Sequence, residues 1–113
     1  MHEAAIAQGI LDLAIRTALQ NGGGRIQRIK LRLGEFRGVV REALEFSFEA
    51  IKCGTLADQA ELEVETVKLR VVCAECGECE CSPRDYNFLC PTCGDPLQII
   101  AGREMQMEYV DLE

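Results

Sequence analysis

The chain has 113 residues, a size that fits one small domain or a small domain carrying a smaller module. Its net charge of −7 argues against nucleic-acid binding, because phosphate contacts need a basic face. No apolar run approaches the roughly 20 residues of a membrane-spanning helix. The first residues also lack the basic region of a signal peptide. Together with seven cysteines, six of them within residues 73–93, these features predict a cytoplasmic protein without nucleic-acid or membrane partners.

The first half of the chain reads as helix, strand and helix. Residues 4–20 carry apolar side chains at helical spacing, and residues 25–33 alternate between apolar and polar side chains. Residues 39–52 predict a second helix, followed by Cys53, which we expect to be a buried, inert thiol. The expected buried stripe of the first helix consists of Ile6, Ile10, Leu13 and Thr17, widened by Ala7, Leu11, Ala14 and Ala18.

Residues 60–72 predict one further strand with an irregularity inside it. The apolar alternation changes phase near Thr66–Val67, where we expect a bulge or bend that leads from the main sheet into a second module. Residues 103–110 predict a third strand, with Met105 and Met107 in the core. The acidic faces of these strands are suited to pairing with Lys30 and Arg32 of the first strand.

Two closely spaced cysteine pairs dominate the second half of the chain. Cys73 and Cys76 form one C-x-x-C, Cys90 and Cys93 form another, and residues 77–89 separate them. This spacing is typical of a closed, tetrahedral zinc site. Glycines at 77 and 94 follow each pair, where a metal-binding turn often needs a positive φ. The pattern therefore predicts a structural Zn²⁺ site on a hairpin.

Cys79 and Cys81 leave other interpretations of this stretch open. An iron–sulfur run of the bacterial ferredoxin type needs a cysteine directly before proline, whereas Ser82 separates Cys81 from Pro83. A thioredoxin-like redox site uses one C-x-x-C in a βαβ setting. Zinc remains the preferred interpretation, and we expect Cys79 and Cys81 to be spare thiols.

His2 is the only histidine in the chain. It is compatible with an ordinary frayed terminus. It is also compatible with chelation, because a free α-amine, the amide nitrogen and the imidazole of residue 2 can close small fused rings around one metal. Nitrogen-rich square-planar sites favour Ni(II) or Cu(II). The residues alone leave both interpretations open.

Taken together, the chain resembles the HypA/HybF family of hydrogenase nickel-incorporation proteins over essentially its whole length. The pieces that carry the resemblance are Met1-His2-Glu3, Leu31-Arg32-Leu33-Gly34-Glu35, Gly38-Val39, Leu44-Glu45-Phe46-Ser47-Phe48-Glu49, Gly54-Thr55, Leu62-Glu63-Val64-Glu65, Cys73 with Cys76, and Cys90-Pro91-Thr92-Cys93-Gly94. Cys79 and Cys81 depart from the family pattern, in which these positions are more often polar.

The resemblance implies a nickel metallochaperone. It places zinc on Cys73, Cys76, Cys90 and Cys93, and Ni²⁺, as cargo, on Met1, His2 and Glu3. The implied partners are a HypB-type GTPase and the large subunit of [NiFe]-hydrogenase, with urease maturation proteins as a further possibility. The expected oligomeric state is a monomer or a homodimer.

The expected fold is α+β, with two helices packed on a small three-stranded mixed sheet and an inserted zinc-ribbon hairpin module. Residues 1–70 with 103–113 are expected to form the nickel-binding domain, and residues 71–102 the zinc-binding module. The alternative function is a zinc-ribbon interaction adaptor without a nickel role. An enzyme is not expected, because the sequence offers no nucleophile paired with a base.

Overall fold

A computed structural model of the chain describes residues 2–113. The elements in chain order are helix α1 (Glu3–Gln20), strand β1 (Ile26–Gly34), a 3-10 turn (Glu35–Arg37), helix α2 (Arg41–Ile51), and strands β2 (Glu61–Val67), β3 (Arg70–Cys73), β4 (Gly77–Glu80), β5 (Gln98–Ala101) and β6 (Met105–Leu112). Among the helices at residues 2–113, none is long and apolar enough to cross a membrane.

The two helices pack against each other and bury an apolar core. In α2, Leu44 and Phe48 are fully buried, one helical turn apart. The buried face of α1 is centred differently from the prediction, because Leu13 is 41% exposed. The buried residues of α1 are instead Ala7, Ile10, Leu11, Ala14 and Ala18. The small alanines fit a helix that lies close to its neighbour.

The main sheet has the strand order β2-β1-β6 and is mixed. Arg28 lies by Glu63 and Lys30 by Glu65, so residue numbers rise together along β1 and β2, as in parallel strands. At the other edge, the Glu113 N–H donates to the Arg25 carbonyl, so the end of β6 lies at the start of β1, as in an antiparallel pair. The α+β prediction of two helices with a mixed sheet is confirmed.

The predicted pairing of basic and acidic strand faces is also confirmed. Arg32 lies 3.2 Å from a carboxylate oxygen of Glu65 and 4.0 Å from one of Glu108. Arg32 therefore connects the outer faces of both neighbouring strands. Because these side chains remain partly exposed, each pair contributes under about 1 kcal/mol.

The single strand predicted over residues 60–72 is wrong. The chain forms two strands there, and they belong to different sheets: β2 ends at Val67 and β3 begins at Arg70. The predicted irregularity near Thr66–Val67 lies at this break. The change of phase in the sequence therefore marks the end of one sheet and the start of the next. In one continuous strand, the apolar side chains after the change would lie on the opposite face from those before it.

A second three-stranded sheet, in the order β4-β3-β5, was not predicted as a sheet. Both pairs are antiparallel, with Val71 opposite Cys79 on one side and Ile99 on the other. Val71 and Leu69 are buried and give this small sheet its apolar centre. The zinc hairpin predicted from the cysteines is thus part of a sheet that also includes a returning strand.

Two predictions about individual side chains are wrong. Cys53 is exposed, and its Sγ lies 3.6 Å from the Glu49 carbonyl at the end of α2. Met105 and Met107 are only half-buried, since β6 is an edge strand. An apolar side chain on an edge strand packs against one neighbouring strand instead of two, which leaves part of its surface in solvent.

The chain divides into two compact units. The first comprises Met1–Arg32, Gly38–Glu65 and Gln106–Glu113, and the second comprises Leu33–Arg37 and Thr66–Met105. Within the second unit the Arg37 side chain donates to the Arg103 carbonyl, and the Leu69 N–H donates to the Glu35 carboxylate. Residues 33–37 are therefore held by the second unit. The functional domain boundaries predicted from the sequence stay predictions.

Candidate metal centre

The first cysteine pair lies at the turn between β3 and β4. Cys73 is the last residue of β3, and Cys76 directly precedes β4. Cys73 stands opposite Gly77 in the strand ladder, so the turn closes directly behind the two sulfurs. Gly77 has φ = +85°, which confirms the predicted conformation. Nothing would touch a Cβ at this position, so glycine is favoured here by backbone conformation and not by space.

The second pair lies on a turn held by its own backbone. The Cys90 N–H donates to the Asp95 carbonyl at 2.7 Å, and the Gly94 N–H donates to the Cys90 carbonyl at 2.8 Å. Gly94 has φ = +78°, again as predicted. Leu89 and Pro96 form an antiparallel bridge at the base of the turn. Both turns thus present two sulfurs through short, local hydrogen bonds.

The four sulfurs converge on one point. The Sγ atoms of Cys73, Cys76, Cys90 and Cys93 all lie within 4.8 Å of one another. Four ligands at 2.3 Å from a tetrahedral Zn²⁺ would be about 3.8 Å apart, so the cluster fits such an ion with little adjustment. Among residues 2–113, no other group of three or more His, Cys, Asp or Glu side chains is arranged to hold a metal.

Hydrogen bonds around the sulfurs shift the pKa values of Cys90 and Cys93 in opposite directions. Backbone N–H groups of Cys93 and Thr92 stabilise the Cys90 thiolate and lower its pKa to about 6. The Cys93 thiolate accepts from the Asp95 backbone, but hydrogen bonding with Cys73 and desolvation outweigh this and raise the Cys93 pKa to about 12. One thiolate therefore forms easily while its neighbour keeps its proton. A metal ion stabilises all four thiolates together.

His2 lies at the start of α1. It is exposed, and its carbonyl accepts hydrogen bonds from the N–H groups of Ala5 and Ile6 at 3.1 and 3.2 Å. The His2 carbonyl thus accepts the first hydrogen bonds of the helix, whereas the His2 side chain makes no capping hydrogen bond to the helix N-terminus. Met1, which is also a predicted nickel ligand, lies outside the described residues.

Glu3 contacts a distant part of the chain that sequence reasoning missed. Its carboxylate accepts a hydrogen bond at 3.0 Å from the backbone N–H of Val40, the residue that precedes α2. This hydrogen bond is the main reason why the pKa of Glu3 lies below its usual value. No local signal could have revealed the contact, because the donor is a backbone group 37 residues away.

Cys79 and Cys81 stand outside the four-cysteine group. Cys79 is exposed and Cys81 is half-buried. The Cys81 thiol is within 3.3 Å of the Ser82 carbonyl, and its pKa is raised by burial and by nearby negative groups, Asp85 first among them.

Comparison with known proteins identifies the family. Residues 1–112 match the family described as hydrogenase/urease nickel incorporation, metallochaperone, HypA. The chain belongs to the HypA family. A hydrogenase maturation factor HypA from Roseiflexus sp. (strain RS-1) is 37% identical over 114 residues, covering 100% of this chain and 93% of the relative. The HypA of Aquifex aeolicus (strain VF5) is also 37% identical, covering 100% of this chain and 98% of the relative.

The HypA fold is supported independently by a solved structure. The solution structure of the Ni metallochaperone HypA from Helicobacter pylori superposes with a TM-score of 0.70 at 23% identity, covering 99% of this chain and 97% of that chain. At this identity the similarity shows the fold alone. The predicted family resemblance is confirmed by the family match, the curated relatives and this fold.

Proposed function

We propose that this HypA-family chain binds Ni(II) at its N-terminus and delivers it for the maturation of [NiFe]-hydrogenase. The observation that carries the proposal is the match of residues 1–112 to a family of nickel-incorporation metallochaperones. The proposal extends to the supply of nickel for urease maturation. We propose that the protein acts in the cytoplasm.

The proposed nickel site consists of Met1, His2 and Glu3. The Met1 amine, backbone nitrogens and the His2 imidazole would supply the nitrogen ligands that Ni(II) prefers in square-planar sites. The exposure of the His2 side chain supports this assignment, since a partner protein can reach it. A site with few protein ligands suits delivery, because an acceptor can take the metal by replacing them one at a time.

The proposed role of the cysteine cluster is structural. Cys73, Cys76, Cys90 and Cys93 would hold Zn²⁺ with four sulfurs and leave no open position for a substrate. Two of these side chains, Cys73 and Cys90, are buried, which favours a retained ion over an exchanging one. We further propose that residues 71–102 form the zinc-binding module, and that residues 1–70 with 103–113 form the nickel-binding domain.

The proposed partners are a HypB-type GTPase, which would work together with this chain, and the large subunit of [NiFe]-hydrogenase, which would receive the metal. Urease maturation proteins are further candidates. The proposal is compatible with a monomer or a homodimer, because the N-terminal ligands come from one chain.

Within the proposed nickel site, Glu3 is expected to contribute only through its backbone. Its carboxylate already accepts from the Val40 N–H, and we expect it to hold the start of α2. Glu3→Gln keeps an acceptor oxygen, so Ni(II) affinity and the exchange rate of the Val40 amide should both stay near wild type. Glu3→Ala should speed exchange of that amide while the nickel absorption spectrum keeps its shape. Amide exchange by NMR and Ni(II) titration measure the two effects.

Glu42 offers a matched control for the Glu3 variants. It is the acidic residue in the first turn of α2, as Glu3 is in the first turn of α1, but it is not the acceptor for the Val40 N–H. Glu42→Ala should leave the Val40 amide unchanged. A changed nickel spectrum in Glu3→Gln would instead make the carboxylate a ligand.

Nickel titration of the zinc-loaded chain tests the proposed function. The comparison is between protein that begins at Met1 and the same protein with two added N-terminal residues. The extension removes the Met1 amine from the site and leaves His2 in place. We expect one-to-one Ni(II) binding to be lost in the extended protein, together with nickel-dependent activation of hydrogenase in a reconstituted maturation assay.

Two results would count against this proposal. If the extended protein bound Ni(II) as tightly as the unextended one, the site would lie elsewhere in the chain. If neither protein bound nickel or supported activation, the alternative of a zinc-ribbon interaction adaptor would be favoured.

A further inference from the structure

Two cysteines that the proposed zinc site does not use lie two residues apart at the end of β4. Cys79 is in the strand and Cys81 directly follows it. Residues two apart in a strand face the same side, so the two thiols share one face, and Glu78 and Glu80 face the other. In the ladder Cys79 stands opposite Val71, which is buried at the centre of the second sheet.

The thiol-bearing face opens onto the same cavity as the four-cysteine cluster. This cavity measures about 290 Å³, and its lining includes Cys79 and Cys81 together with Cys73, Cys76 and Cys90. A water molecule occupies about 30 Å³ in the liquid, so the cavity has room for a cation with a remaining water ligand. Five of the six cysteines of the second unit therefore line one space.

The charges around this space favour a cation over free thiolates. No Lys, Arg or His is among the described residues that line the cavity. Asp85 and Glu35 are near enough to Cys81 to disfavour a negative charge there, and so is Cys79. The basic side chains of this region, Lys68 and Arg70, are instead paired with Glu78 and Glu80.

We propose that Cys79 and Cys81 form a second thiolate site, which binds a thiophilic divalent cation beside the four-cysteine cluster. Each thiol gives up its proton and forms one sulfur–metal bond, so two protons are released for each cation. Water, or a sulfur shared with the cluster across the cavity, completes the coordination. With two ligands of its own, this site is more open than the cluster and exchanges its metal more readily.

The test uses Cd(II), whose bonds to thiolates give ultraviolet charge-transfer absorption that carboxylate-bound Cd(II) lacks. The reduced, full-length chain is titrated, and bound metal is counted by native mass spectrometry. We expect wild type to bind two Cd(II) with charge-transfer absorption from both. The Cys79→Ser/Cys81→Ser double variant should bind one, with the absorption of the first equivalent retained.

Cys53→Ser is the matched control. Cys53 is an exposed free thiol in the other compact unit, so this variant should still bind two Cd(II). One thiolate-bound Cd(II) in wild type would overturn the proposal. Two thiolate-bound Cd(II) in the double variant would also overturn it, because the second site would then not depend on Cys79 and Cys81.

Alkylation mapping of the wild-type chain tests the same proposal without substitution. With one equivalent of Cd(II) bound, iodoacetamide should label Cys53, Cys79 and Cys81. With two bound, Cys53 alone should remain reactive, which also shows that the reagent is active. Labelling of Cys79 and Cys81 that persists at two equivalents would contradict the proposed site.

Discussion

Replacing His2 with alanine is expected to abolish tight Ni(II) binding, with a loss of affinity of more than about 100-fold. Changing a residue that only hydrogen-bonds to a metal ligand typically lowers metal affinity or activity about 10- to 100-fold. His2→Ala would remove a ligand itself, so its effect should be larger. The chain contains no other histidine that could replace it. Calorimetric titration of the zinc-loaded protein measures the loss, and the rate of nickel-dependent hydrogenase activation should fall with it.

The zinc content provides the control for this variant. Because His2 and the four cysteines lie in different compact units, His2→Ala should keep its full zinc content and its second-unit fold. Unchanged nickel affinity in such a properly folded, zinc-loaded variant would exclude His2 from the site.

Replacing Cys73 with serine is expected to remove the bound metal and to unfold the second unit. Structural Zn²⁺ in zinc-finger peptides contributes about 10–16 kcal/mol of apparent binding free energy, and many small metal-binding domains fold only with their metal. The sheet β4-β3-β5 has few large buried side chains to replace that contribution, chiefly Leu69 and Val71. Hydrogen exchange followed by mass spectrometry should show loss of protection across residues 66–105 in this variant. Wild-type protein treated with a strong chelator should lose protection in the same residues.

Cys53→Ser again provides the comparison, because it removes an exposed thiol that lies outside the four-cysteine group. That variant should keep its metal and its protection. Helix α1 should stay protected in both variants, since its buried face belongs to the first unit. Full protection of residues 66–105 in metal-free Cys73→Ser would show that the small sheet folds without zinc.

Local patterns in the sequence were sufficient for most of the secondary structure and for the cysteine cluster. The apolar side chains of α1 and α2 follow helical spacing. In β1 apolar and basic side chains alternate, and the basic ones pair with acidic side chains on both neighbouring strands. The cysteine spacing is informative because a C-x-x-C constrains its own turn. Gly77 and Gly94 could be assigned their positive φ for the same reason: the required conformation is set within a few residues.

The features that were missed depend on contacts between distant parts of the chain. In residues 60–72 the apolar alternation changes phase, which is compatible both with a bulge and with a break between two sheets. The pairing of β3 with β4 and β5 shows that it is a break. The exposure of Cys53 depends on where α2 ends against the rest of the first unit. The second sheet was missed because Gln98–Ala101 is short and pairs with a strand far from it in sequence.

The contact between Glu3 and the start of α2 also limits how this chain can vary among its relatives. The donor is a backbone N–H, so nearly any side chain is acceptable at position 40, but proline has no N–H to donate. The loop before α2 cannot change length freely either, because an insertion would carry the donor away from position 3. A side chain with an acceptor oxygen at position 3, glutamate or glutamine, should therefore be inherited together with a loop of fixed length and a non-proline residue at position 40. An alignment of relatives would display this pattern of joint change.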